Sequence, residues 1–301
     1  MNVFSLDKSI NEPTAIALGY FDGVHLGHRR VIESAVEYAR ENKIKTAVFT
    51  FGDLKGNSKK SASGALYSEE HRVCLLKELG ADFVIMPDFS DFAPLSPSEF
   101  VQLLKERFGA RALFCGEDYR FGKGAVGNAD TLRELCEQNS IHLSVLPKAT
   151  MLGGEISSSR IKSALLNGDA SLANKLLGRA YSFKSKVESG EHIGSKRLYP
   201  TINQSFSQNS AKIKNGVYAS RAIVGGQKYI AVTNIGTCPS VKNLETAVSE
   251  TYIIDKSISL YGESVEVELL EFIREEKRFE SIESLREQIK KDIEKAREIT
   301  L

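Results

Sequence analysis

The chain has 301 residues, 42% hydrophobic and 26% charged, and its 40 basic and 39 acidic side chains leave a net charge of +1. That length suits about two domains of roughly 150 residues each, with ample material for buried cores. The near-zero charge provides no bulk field for nucleic acid or an anionic membrane, and no apolar run approaches the ~20 residues that span a bilayer.

The first half alternates strands and helices. An apolar run at 15–18 precedes a helix over 28–41, whose buried face is Val31, Ile32, Ala35, Val36 and Ala39. A second strand spans 45–51, and the polar stretch 52–66 reads as a mobile loop. A helix over 68–79 starts with Glu69 and Glu70 and stops at Gly80, ahead of a strand at 81–87. Ser96-Pro97-Ser98-Glu99 is a capping box for a helix with Phe100, Leu103, Leu104 and Phe108 on one face. A strand at 110–116, a helix at 130–139 and a strand at 142–147 follow. Five strands separated by helices predict a doubly wound parallel sheet, with ligands beyond the carboxyl ends of its strands.

After short helices at 158–166 and 171–177 the period changes. From 181 to 273 the pattern alternates, with strands at 216–224 and 227–233 joined by a hairpin at Gly225-Gly226, and more at 250–255 and 264–272. The whole therefore reads as α/β: a Rossmann-like domain over 1–180, then a small antiparallel β-barrel over 181–301. A helix over 281–299 closes the chain, its Leu285, Ile289 and Ile293 stripe suited to packing on the barrel or to a partner. The N-terminus lacks a charged segment followed by an apolar one, so no secretory leader is expected. Cys74, Cys115, Cys136 and Cys238 form no CxxC pair and predict reduced thiols in the cytoplasm, with Cys115 and Cys136 as core residues.

The most specific stretch is AIALGYFDGVHLGH, 15–28. Its HxGH, His25 to His28, has about 0.006 chance occurrences in a chain with 5 His and 23 Gly. Two imidazoles at i and i+3 at a helix start can face one phosphate chain, and Gly27 leaves room for close approach. Capping or packed histidines and a zinc pair are the alternatives; His71, His142, His192 and the cysteines offer no matching ligand spacing. Ser157, Ser158 and Arg160 open another helix with hydroxyls and a guanidinium suited to a triphosphate, though serines also cap helices generally. Gly122 to Gly127 fits GxGxxG but starts too far past its strand for a dinucleotide fingerprint and reads as a flexible, ligand-covering loop.

GYFDGVHLGH, GEDYRFGKG at 116–124 and ISSSRIK at 156–162 together resemble the adenylyltransferase half of the bacterial bifunctional riboflavin kinase/FMN adenylyltransferase (FAD synthetase) family. PTIN at 200–203, NGVYA at 215–219, NIG at 234–236, ETYIID at 250–255 and SLYG at 259–262 resemble its kinase half. The resemblance implies a nucleotidyltransferase domain, a riboflavin kinase barrel, and riboflavin, FMN and ATP as substrates with Mg²⁺, without nucleic acid or membrane. His25 and His28 would stabilise adenylyl transfer and Glu250 would be the kinase base. Gly19, Phe21, Asp22, Gly27, Ser157, Ser158 and Arg160 would bind nucleotide, Asp118 and Phe121 would lie near flavin, and Tyr218 would also bind. Thr201 and Asn203 would hold Mg²⁺ and phosphates.

Three segments depart from the family pattern. TFGDLKG stands where a proline-histidine segment is usual, GEHIGSKRLYPTIN replaces a glycine- and arginine-rich loop running into GFPTAN, and Cys238 replaces an arginine. The alternative they imply is mainly an FMN adenylyltransferase with a weak or flavin-binding barrel. A flavin or nucleotide sensor acting on nucleic acid is a third reading, opposed by the lack of a basic stripe.

Overall fold

The computed structural model describes residues 2–52, 64–188, 200–239, 245–256 and 260–300. The chain divides into two compact units, Met1–Ser158 and Ser159–Leu301. The two halves of the expected architecture are both found: a parallel sheet with helices, then an antiparallel barrel with a C-terminal helix.

The first unit holds strands β1 (Asn2–Phe4), β2 (Thr14–Leu18), β3 (Lys45–Phe49), β4 (Phe83–Ile85), β5 (Ala110–Gly116) and β6 (His142–Leu146). They are all parallel, in the order β1-β4-β3-β2-β5-β6. The order reverses between β2 and β5, so a crevice opens beyond Leu18 and Gly116. Every residue of β2 is buried, as expected for a central strand covered on both faces. Helices α1 (Leu26–Asn42), α2 (Glu69–Glu78), α3 (Phe89–Phe92), α4 (Pro97–Phe108) and α5 (Ala129–Asn139) surround the sheet. Helix α1 buries Val31, Ile32, Ala35 and Ala39. Helix α4 has both halves of its capping box, with the Glu99 amide on the Ser96 hydroxyl at 3.3 Å and the Ser96 amide on the Glu99 carboxylate at 2.8 Å. Phe100, Leu104 and Phe108 join Ile16, Leu18, Phe49, Leu113 and Cys115 in one core.

One element is new, one expectation changes, and one falls outside the described residues. The edge strand β1 was not foreseen; it is three residues long, too short to show a period, and it exists because β4 offers a free edge. The stretch from Gly122 to Gly127 is tied down: Phe121 and Gly127 exchange amide–carbonyl bonds of 3.1 and 3.0 Å, and the Lys123 amide donates to the Leu95 carbonyl at 2.6 Å. Of the polar stretch 52–66, residues 53–63 lie outside the described residues, and Leu66 at its end is buried.

Cys115 and Cys136 are core residues, and burial pushes their thiols up to about 12 and about 11, so neither is a thiolate at neutral pH. Among the described residues no helix is long and apolar enough to cross a membrane.

After a small hairpin of β7 (Thr150–Met151) and β8 (Gly154–Glu155) come helices α6 (Ser158–Leu166) and α7 (Ala170–Leu177). The second unit then forms β9 (Tyr181–Lys186), β10 (Thr201–Ser205), β11 (Gly216–Val224), β12 (Gln227–Pro239), β13 (Glu245–Ile253) and β14 (Ser264–Arg274). All neighbours are antiparallel, in the order β10-β13-β12-β11-β14-β9. The expected hairpin at Gly225-Gly226 joins β11 to β12, with Val224 opposite Gln227. The two edges meet where the Glu188 amide donates to the Asn203 carbonyl at 2.8 Å, and buried Gln204 donates to the Ser185 and Val265 carbonyls, each at 2.8 Å. Inside, the Ser220, Thr233 and Thr251 hydroxyls form a ladder of 2.8 and 2.9 Å bonds across β11, β12 and β13.

Helix α8 (Ile282–Thr300) packs its Ala296, Ile293 and Ile299 against Val217, Ala219 and Val232 on the outer face. Leu285 and Ile289 are half-buried, so the apolar stripe packs on the barrel as expected. A bidentate ion pair between the partly exposed Arg274 and the buried Asp292, Nε to Oδ1 at 3.0 Å and Nη2 to Oδ2 at 2.8 Å, fastens the helix to β14. Removing the arginine leaves the Asp292 carboxylate buried without its cation. Arg274→Met should cost about 3–5 kcal/mol in urea unfolding of this unit, and the double variant Arg274→Met/Asp292→Leu should cost less.

Candidate active site

The first cluster sits beyond β2, where the sheet reverses. His25 is the N-cap of α1 and is buried; its Nδ1 accepts the His28 amide at 3.2 Å. With Nδ1 accepting, the proton of the neutral imidazole sits on Nε2, which is thereby a donor. The His28 ring stacks on it with centroids 3.5 Å apart and planes 16° apart. Phe21 meets His28 edge-on at 5.3 Å. The helix dipole and first-turn amides add a partial positive charge at the same place.

The loop between β2 and α1 is strained. Phe21 (φ 49°) and Val24 (φ 42°) both take left-handed backbone, at a cost on the order of 1–3 kcal/mol each, and both are buried. Two glycines make room. A Cβ on Gly19 would come 2.8 Å from the Phe21 ring, and one on Gly27 would come 3.2 Å from His25 Cε1. Asp22 is buried, and its Oδ1 accepts the Leu66 amide at 2.8 Å.

The structure thus brings His25, His28, Gly19, Phe21, Asp22 and Gly27 together. Asp118 lies beyond β5, its carboxylate 3.1 Å from where a Gly116 Cβ would stand. Phe121 is buried in the core between Phe100 and Tyr119, at 5.6 and 5.7 Å between ring centroids. Ser157 and Ser158 end the first unit at the start of α6, and Arg160 belongs to the second unit.

Sequence reasoning missed Arg72 on α2. It is fully buried, and its guanidinium donates to the Tyr20 carbonyl at 3.0 Å and the Phe51 carbonyl at 2.9 Å. Nothing in the sequence marks it, because its acceptors are backbone carbonyls 52 and 21 residues away in the chain.

The second cluster lies on the barrel. Antiparallel register sets Asn203 of β10 opposite Glu250 of β13, and Glu250 opposite Asn234 of β12. Directly opposed residues share a sheet face with Cβ atoms about 5 Å apart. Thr201, two residues before Asn203, shares that face. Asn234 was not among the expected site residues; it flanks Glu250 on the other side and donates to Glu276 at 3.2 Å. Its NIG motif and the strand register together could have found it.

Tyr218 is set apart from this group. It pairs with Thr233, on the opposite face from Asn234, and is fully buried. Its hydroxyl donates to the Lys214 carbonyl at 2.7 Å, and burial pushes its pKa above the ordinary tyrosine range. The glycine- and arginine-poor loop, 190–199, and the side chain of Cys238 lie outside the described residues.

Two family models match, in order: FAD synthetase over residues 7–160 and riboflavin kinase over residues 177–300. The chain is 33% identical over 298 residues to the bifunctional riboflavin kinase/FMN adenylyltransferase of Bacillus subtilis, covering 97% of this chain and 94% of that one. It is 30% identical over 301 residues to the protein of the same name from Escherichia coli, covering 98% and 96%. A solved structure from Streptococcus pneumoniae, described as a macrolide-efflux protein, is similar with a TM-score of 0.86 and 28% identity over 98% of each chain.

The packing of Phe21 over Gly19 is directly testable. Gly19→Ala forces a methyl group into the Phe21 ring and should lower the stability of the first unit by about 1–3 kcal/mol, read by urea unfolding.

Proposed function

The chain belongs to the bifunctional riboflavin kinase/FMN adenylyltransferase family, and from that membership we propose how its own residues carry the two reactions. In one, the riboflavin 5′-hydroxyl attacks the γ-phosphorus of ATP, giving FMN and ADP. In the other, an FMN phosphate oxygen attacks the α-phosphorus of a second ATP, giving FAD and pyrophosphate. Neither needs a covalent enzyme intermediate, so positioning and charge stabilisation carry both. We assign adenylyl transfer to residues 1–180 and phosphorylation to residues 181–301. The efflux name of the pneumococcal protein is not carried over, since the curated relatives name both activities over nearly the full chain.

The observation that carries the adenylyl-transfer assignment is the stacked His25–His28 pair at the start of α1. The His25 Nε2–H donates toward the phosphates, and His28 shares the developing charge as the bond between α- and β-phosphates breaks. Gly27 and the helix amides accept the chain of phosphates, while Gly19, Phe21 and Asp22 shape the loop. Ser157, Ser158 and Arg160 hold further phosphate oxygens. Asp118 lies near the flavin, with Phe121 supporting that wall from the core.

In the barrel Glu250 takes the proton of the riboflavin hydroxyl as general base. Its strand neighbours Asn203 and Asn234 flank it on both sides. The cation we assign is Mg²⁺. Thr201 and Asn203 offer oxygen donors, which suit a hard ion, and bound there it would neutralise charge on the phosphates. The unpaired Cys74, Cys115 and Cys136 agree with a cytoplasmic setting.

The assay starts the purified chain from riboflavin or from FMN, each with ATP and Mg²⁺, and resolves the flavins by chromatography over time. Glu250→Gln should lower FMN formation by about 10²- to 10⁴-fold and leave FAD formation from FMN intact. His28→Ala should do the reverse, by about 10²- to 10³-fold. FAD from neither start would overturn the reading. FAD from FMN but no FMN from riboflavin would leave adenylyl transfer alone.

A further inference from the structure

We infer that Arg72 is a positioning residue for adenylyl transfer: its guanidinium, clamped between two backbone carbonyls, holds the loop that carries His25 and His28. The inference rests on assigning that reaction to this loop. In this role Arg72 acts through Tyr20.

The two carbonyls belong to separate segments. Those of Tyr20 and Phe51 lie just past Leu18 and Phe49, the last residues that β2 and β3 pair with each other. Beyond that point the sheet no longer holds the two segments in register. The planar guanidinium reaches both, at 3.0 and 2.9 Å, where a lysine could offer only a point charge without the fork. The guanidinium also lies 5.1 Å from the centre of the Tyr20 ring, and that ring stacks on Phe51 at 4.7 Å. The Tyr20 carbonyl takes a second bond, from the Thr50 hydroxyl at 2.7 Å.

Burying a cation is costly, and an apolar side chain would fill this space at lower cost. What the arginine supplies is geometry. Tyr20 is followed at once by the left-handed Phe21, and strained backbone persists only where its surroundings over-determine it. The segment that leads into α2 contributes a second restraint, the Leu66 amide on the Asp22 carboxylate. Helix α2 therefore braces the phosphate loop at Tyr20 and Asp22, on the strand side of the histidines.

The test uses the full chain with Arg72→Lys, Arg72→Met and Thr50→Val, FMN plus ATP and Mg²⁺ as substrates, and FMN formation from riboflavin as the control for the rest of the protein. We expect kcat for FAD formation to fall about 10- to 100-fold in Arg72→Lys, with KM for ATP changed less than about threefold and FMN formation unchanged. Thr50→Val, which removes the other bond to the same carbonyl without touching a charge, should lower kcat about 3- to 10-fold and keeps the test open if both Arg72 variants fail to fold. Undiminished kcat in Arg72→Lys at a temperature where it is folded overturns the inference, as does a rise in KM alone. Undiminished kcat in Thr50→Val when neither Arg72 variant folds overturns it too. These results leave the adenylyl-transfer reading standing. No FAD from the unaltered chain overturns that reading and the inference with it.

Discussion

The bond from the His28 amide to the His25 imidazole is the interaction on which the parallel-sheet unit turns. It ends the loop, starts α1 and fixes which imidazole nitrogen carries the proton. Serine, threonine or aspartate would cap the helix as well but would leave no ring to stack. Because the side chain we assign to the phosphates also caps the helix, the loop can carry left-handed Phe21 and Val24 without wandering. The helix so begun buries Val31, Ile32, Ala35 and Ala39, and this packing is what keeps the cap in place.

The barrel separates packing from chemistry by the two-residue period of its strands. One face looks inward and carries Tyr218, Thr233, Thr251 and Gln204, all buried and bonded to one another or to backbone. The other face carries Asn203, Asn234 and Glu250, with the α8 contacts Val217, Val232 and Tyr252 as their register neighbours. A shift of one residue in β13 would send Glu250 into the interior, so register here is a functional quantity. The β10–β9 closure, made by Gln204 and by the Glu188 amide, helps hold that register.

Much of this was legible in the sequence where signals are local and repeated. The buried strands, the Ser96 capping box, the Gly225-Gly226 hairpin and HxGH each depend on residues within a few positions of one another. The family motifs carried the division into two activities. What escaped notice depends on distant backbone. Strand β1 is defined by β4, some eighty residues later, and Arg72 by two carbonyls on other segments. On sequence alone Arg72 is one more charged residue in a helix that shows no clean apolar stripe. Tyr218, in the NGVYA motif, is turned to the interior by its strand, on the face away from Asn234. The loop from Gly122 to Gly127 was read from its glycines as loose, whereas the Phe121–Gly127 pairing ties it.

The hydroxyl ladder inside the barrel runs across three consecutive strands, β11, β12 and β13. Thr233 bonds both Ser220 and Thr251, so replacing it by an apolar residue takes the ladder partner from two buried hydroxyls, at a cost of about 1–3 kcal/mol for each one left unsatisfied. Replacing all three by shapes such as alanine and valine removes the demand altogether. Evolution should therefore treat the three positions as one character. Among relatives they should be polar together or apolar together, and mixed sets should be rare even where the surrounding strands have diverged.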